Sequence, residues 1–194
     1  MTGFEDAARA TVDHLDALGL AHALVGGFAV SVWCEPRFTR DIDLVVSVSD
    51  DDVAEATVRA LVQEGYAVLM TVEQEAAGRL ATVRLSVGPA GDLVDLLFAS
   101  SGIEAEIAMS AERIEVLPGL VLPVATAGHL IALKLLASDA RTRPQDGVDL
   151  RALIGVAEEE DLEVAHRAVE LIEERGFQRG RDLVGALEQL VASR

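Results

Sequence analysis

Cysteine is nearly missing from this chain. Cys34 stands alone among 194 residues, which excludes an internal disulfide and favours a reducing, cytoplasmic setting. One cysteine and four scattered histidines (His14, His22, His129 and His166) are a poor supply of zinc ligands, and no two have ligand spacing. No apolar run approaches the roughly 18 residues that would suggest a membrane span. The opening "MTGFEDAARA" has neither a basic region nor an apolar stretch, so no secretory signal is expected there. Basic charge is also scarce. The formal net charge is −17, which repels a polyanion and argues against broad duplex DNA binding. Lysine is rarest of all: the 16 basic residues are fifteen arginines and Lys134.

What the chain does have is apolar content, at 51%, ample for a packed core. The length suits one domain, or one with a helical appendage. Phe4, Ala8, Val12, Leu15 and Leu18 fall at helical spacing, and Gly19 stops that helix. "HALV" (22–25) and "IDLVVSV" (42–48) read as strands around Gly26-Gly27 and a short helix, "FAVSVWC". A helix capped by Ser49 or Asp50 follows, ending at Gly65. Then come strands at 66–72, 80–87 and 92–99, the last two joined by the turn "GPAG". After a helix near 102–110, "RIEVL" and "LVLPV" flank a second hairpin turn, Pro118-Gly119. From there the pattern is helical, over about 126–138, 147–156, 160–175 and 180–192. The expected fold class is α+β: a mixed α/β core over 1–124, then a helical region over 125–194. "LIALKLLA" is apolar on nearly every side, so that region must pack on the core.

Asp41 and Asp43 open the strand "DIDLVV", and positions i and i+2 of a strand share a face. Two carboxylates side by side repel, so one loses its charge unless a cation intervenes. A solvated strand entrance, with Asp41 ending a turn, is one reading. A divalent metal is the other: Mg²⁺ takes carboxylate oxygens and substrate phosphates together. Gly27 precedes Asp41 by fourteen positions, and glycines after a strand let backbone N–H groups approach a phosphate. Arg37 and Arg40 lie in the connecting loop, where they would offset phosphate charge.

The ordered set "VGGFAV…FTRDIDLVV" resembles the nucleotidyltransferase superfamily typified by DNA polymerase beta and the minimal nucleotidyltransferases. The resemblance implies that Gly26 and Gly27 hold a nucleoside triphosphate and that Asp41 and Asp43 bind Mg²⁺ or Mn²⁺. Many members place serine after the first glycine; here Gly27 and then Phe28 stand there, so a hydroxyl contact to phosphate is missing. The superfamily commonly adds a third carboxylate from a nearby strand, as metal ligand and base. Asp95 in "DLVDLLFA" is the candidate, because a charge among apolar neighbours is costly unless paired or metal-bound. Asp92 is more simply a turn residue.

Lys134 has apolar neighbours at Leu130, Ile131 and Ala137 on a helix capped by Thr126. It either snorkels to the surface or sends its ammonium into a polar pocket. Asp146 and Asp149 in "RPQDGVDLRAL" suit the N-cap and first turn of the next helix. "LIALKLLAS…RPQDGVDLRAL" also resembles the abortive-infection, AbiE-type toxin branch of nucleotidyltransferases. That implies that Lys134 contacts nucleotide phosphates and that Asp146 orients or deprotonates an acceptor. It further implies a toxin restrained by an antitoxin protein. Trp33 reads as core of its short helix, with stacking on a base as the alternative. The expected activity is metal-dependent transfer of NMP from an NTP to a hydroxyl of an RNA 3′ end, a protein or a small molecule. The rivals are a binding module that has lost catalysis and an antibiotic-modifying enzyme.

Overall fold

The computed structural model describes residues 3–35, 39, 41–74, 78–138 and 144–194, apart from the Pro144 side chain. Seven strands form one mixed sheet: β1 (His22–Val25), β2 (Asp41–Val46), β3 (Ala67–Gln74), β4 (Arg79–Val87), β5 (Asp92–Leu97), β6 (Glu112–Leu117) and β7 (Leu120–Val124). Their spatial order is β3-β4-β5-β2-β1-β7-β6. The β3–β4, β4–β5 and β6–β7 pairs are antiparallel through short connections, and β1–β2 is antiparallel across α2 (Gly26–Trp33). The β2–β5 and β1–β7 pairs are parallel, so longer segments must cross between them.

The helices are α1 (Gly3–Ala17), α2 (Gly26–Trp33), α3 (Asp51–Gln63), α4 (Glu104–Met109), α5 (Ala127–Ala137), α6 (Pro144–Val156), α7 (Glu159–Glu174) and α8 (Leu183–Ala192). Each amphipathic stripe finds the core. Ala8, Val12 and Leu15 of α1 are buried, as are Ala165, Ala168, Val169 and Ile172 of α7. Asp50 caps α3 by accepting from the Val53 N–H at 3.0 Å. α5, apolar nearly all round, packs against α2, α6, α7 and α8. It approaches α7 closely: a Cβ on Gly128 would lie 2.4 Å from the Asp161 carbonyl oxygen. Among the described residues no helix is long and apolar enough to cross a membrane.

Several boundaries differ from the sequence pattern: α2, for one, begins at Gly26 rather than after the glycine pair, and β5 ends at Leu97 rather than 99. α6 begins at Pro144 rather than near 147, because proline suits the first helical position, where its missing N–H costs nothing. Asp146 therefore lies within the first turn instead of capping it. α8 begins at Leu183, capped by Asp182, because Arg179 and Gly180 both take positive φ (56° and 70°) and break the chain before it. α1 ends at Ala17, which leaves Leu18 largely exposed.

Candidate active site

The site starts at the corner between β1 and α2. Val25 faces Asp43 across the β1–β2 ladder, and Gly26 turns the chain into α2 with φ +66°. A Cβ on Gly26 would fall 1.9 Å from Oδ2 of Asp43, so only glycine leaves room for that carboxylate. The N-cap residue of α2, Val25, provides no side-chain cap, and the helix's first turn holds no acid. Its first N–H groups are the orphan donors that anions take.

Strand pairing then gathers the acids. Asp41 and Asp43 share a face of β2, and Asp43 sits beside Asp95 in the parallel β2–β5 ladder. Asp95 in turn faces Arg84 across the β4–β5 ladder. Arg84 grips Asp95 with a fork: Nε donates to Oδ1 at 2.8 Å and Nη2 to Oδ2 at 2.6 Å. Nη2 also lies 3.5 Å from Oδ2 of Asp41. The arginine is the cation that the acids require. The Asp95 bond, foremost, and the nearby acids raise the Arg84 pKa further above its ordinary value.

Asp43 receives no such fork, and no hydrogen bond from a described residue reaches its carboxyl. Desolvation, then the charges of Asp95 and Asp41, push its pKa up to about 7; Lys134 and Arg84 offset part of this. Part of its surface stays open to solvent. The influence of Lys134 on Asp43 links the helical half of the site to the sheet half.

Lys134 is buried on α5 rather than snorkelling. Its Nζ lies 2.7 Å from Oδ1 of Asp146 and 2.8 Å from Oδ2 of Asp149. Those acids are three apart on α6 and so share a helix face. Gln145 donates to the other Asp149 oxygen at 2.9 Å. Two of the three lysine donors are thereby accounted for. Asp149 also acts on Cys34, at the end of α2: burial first, then that acid, raise the thiol pKa. Trp33 donates its Nε1–H to the Ala125 carbonyl at 3.0 Å, which pins α2 to the start of α5.

Of the residues singled out from sequence, the fold gathers Gly26, Asp41, Asp43 and Asp95 at one corner and joins Lys134 to Asp146 beside it. Gly27 is buried in the first turn of α2. Arg37 and Arg40 lie outside the described residues. Arg84 and the Lys134–Asp149 contact escaped the sequence reading. The oxygen donors of the three sheet acids are the type that Mg²⁺ and Mn²⁺ take, and among the described residues the Asp43 carboxyl has no competing donor. As arranged, no group of three acidic, histidine or cysteine side chains among the described residues is spaced to hold an ion. Both Asp95 oxygens are engaged by Arg84 instead.

Residues 12–193 match the family model described as "Nucleotidyl transferase AbiEii toxin, Type IV TA system". The chain belongs to the AbiEii family. It is accordingly a nucleotidyltransferase, of a family defined by toxins of toxin–antitoxin pairs. No curated protein matches it significantly. Among solved structures, the AbiEii-family chain is similar to an antigenic nucleotidyltransferase-like protein from Paracoccidioides brasiliensis, with TM-score 0.53 and 19% identity over 95% of this chain and 92% of that one. It is also similar to ANT(2″)-Ia, solved with adenylyl-2″-tobramycin, with TM-score 0.59 and 15% identity over 90% of this chain and 99% of that one. At such identities these likenesses bear on the fold, which is that of the nucleotidyltransferases.

Proposed function

We propose that the chain moves a nucleoside monophosphate from an NTP to an acceptor hydroxyl, releasing pyrophosphate, with Mg²⁺ or Mn²⁺ held by Asp41, Asp43 and Asp95. One observation carries this reading: Asp43 and Asp95 are lateral neighbours in adjacent parallel strands, with Asp41 on the same face, beside the Gly26 corner. Bound there, the metal would supply positive charge against the carboxylates and the phosphates.

The rest falls to the chain itself. The Gly26–Gly27 backbone and the first N–H groups of α2 would take phosphate oxygens, and Arg40, next to Asp41 in sequence, would add charge. Lys134 would turn its remaining donor to a phosphate while Asp146 and Asp149 hold its ammonium in place. Asp146 would orient the acceptor hydroxyl or take its proton. The acceptor oxygen bonds to the α-phosphorus, the bond from that phosphorus to the bridging oxygen breaks, and pyrophosphate departs with the electron pair. Positioning and charge neutralisation would supply most of the rate, as in phosphoryl transfer generally.

The acceptor is an RNA 3′ end, a protein side chain or a small molecule, and an antitoxin protein is the expected partner, in the cytoplasm. Family membership supports the toxin role. The test is transfer from labelled NTPs with Mg²⁺ or Mn²⁺ to RNA, protein and drug panels, comparing the unaltered chain with Asp43→Ala. Loss of transfer in the variant supports the assignment. Transfer that survives the substitution refutes it, as does failure of the unaltered chain to bind any NTP.

A further inference from the structure

We propose that Arg84 is a positioning residue that serves as the site's own counter-cation. In the metal-free protein it holds Asp95 and steadies Asp41, and it competes with a divalent cation for Asp95 until a triphosphate draws it away. This inference rests on the metal and nucleotide reading above and adds to it a coupling between the two ligands.

The geometry is specific. The guanidinium fork spans both oxygens of Asp95, at 2.8 and 2.6 Å, and extends toward Asp41 at 3.5 Å. Asp95 is buried, at 8% exposure, whereas a third of the Arg84 side chain faces solvent. Arg84 is therefore the more solvent-accessible partner of the pair. Three carboxylates on one sheet face need positive charge between them, and a fixed arginine supplies it at every metal concentration. A second cation arriving at Asp95 meets repulsion from the guanidinium a few ångströms away. A triphosphate offers the same fork an anionic partner of matching geometry. Metal and nucleotide then strengthen each other's binding by the same factor, because linkage is reciprocal.

The experiment measures Mn²⁺ binding by electron paramagnetic resonance to the intact chain, Arg84→Met and Arg84→Gln, with and without a non-hydrolysable ATP analogue. Without nucleotide, both variants should bind Mn²⁺ at least tenfold more tightly than the unaltered chain. The analogue should tighten Mn²⁺ binding markedly in the unaltered chain and little in the variants. If the unaltered chain binds Mn²⁺ with the analogue but the variants show unchanged or weaker nucleotide-free affinity, Arg84 is only structural and the proposal falls alone. If no form binds Mn²⁺ under any condition, the metal reading falls with it. One measurement needs no variant. The Arg84 Nε–H resonance of the unaltered protein, shifted by its Asp95 bond, should move when Mg²⁺ and analogue are added together. A resonance that stays put overturns the proposal.

Discussion

Gly26 and Asp43 occupy each other's space: the carboxylate sits where any β-carbon on residue 26 would be, 1.9 Å from its Oδ2. Gly26→Ala should therefore act twice. The left-handed backbone, φ +66°, costs an L-residue about 1–2 kcal/mol, and the collision displaces Asp43. Gly176→Ala is the control, since its φ is +79° but a β-carbon there meets open space. The control should lose about 1 kcal/mol and keep full transfer activity. Gly26→Ala should lose roughly 3 kcal/mol or more and at least 100-fold in transfer. Urea unfolding and the labelled-NTP assay read the two effects separately.

The raised pKa of Asp43 makes stability depend on pH in a defined direction. In the unfolded chain this acid ionises near 3.8; in the folded chain it ionises near 7. Well below 3.8 both states hold the proton and the site costs nothing. Between these values the unfolded state has released a proton that the folded state keeps, so stability falls as pH rises and levels off above 7. Asp43→Asn should therefore raise the melting temperature in EDTA at pH 8, by the equivalent of about 2–4 kcal/mol at most. The gain should shrink toward pH 5 and be small near pH 4. Thermal unfolding across pH 4–8 checks it; a gain independent of pH would assign the effect to something other than this ionisation. The same substitution should abolish transfer, a trade of stability for function common at active sites.

Much of this corner was legible in the strand parity of "DIDLVV" and in the glycines before it. Asp41 and Asp43 had to share a face, and a charge at Asp95 among apolar neighbours needed a partner. The partner itself was within reach. A hairpin closed by Val87 and Asp92 sets Arg84 opposite Asp95 three pairs further in. Reading that register requires knowing which residues close the turn, and the glycine-rich "GPAG" alone leaves this open. The β2–β5 neighbourhood was harder, because parallel strands far apart in sequence carry no local register signal. For Asp149, dipole preference was a sufficient local account, so its bond to Lys134 awaited the packing of α5 on α6.

Lys134 stands between two buried acids of α6, Asp146 and Asp149. Lys134→Ala removes the cation and leaves Asp146 and Asp149 buried together. Breaking such a pair from one side costs about 3–5 kcal/mol. Asp146→Asn leaves the lysine its Asp149 bond at 2.8 Å and should cost clearly less. Urea midpoints for the two variants should fall in that order. Equal losses would mean that the triad does not act through charge.

The two sheet edges are defended differently, and this predicts where the protein self-associates. β6 carries Glu112, Arg113 and Glu115, charges that discourage another strand from pairing. Along β3, Val68, Leu69, Met70 and Val72 are all exposed, and no charge interrupts Ala67–Val72. Only register shifts between Val68 and Met70 and between Val72 and Glu73 disturb that edge. Leu69, 56% exposed, falls within the first shift and opposes no residue of β4 in the register. Leu69→Lys places a gatekeeping charge there, at a position paired with none of the site residues. Stability should change by no more than about 0.5 kcal/mol. Light scattering at matched concentration should show slower aggregation on mild heating, with transfer activity intact. Aggregation that proceeds at the same rate would shift the liability from this edge to the acid-rich remainder of the surface, and salt dependence would then expose it.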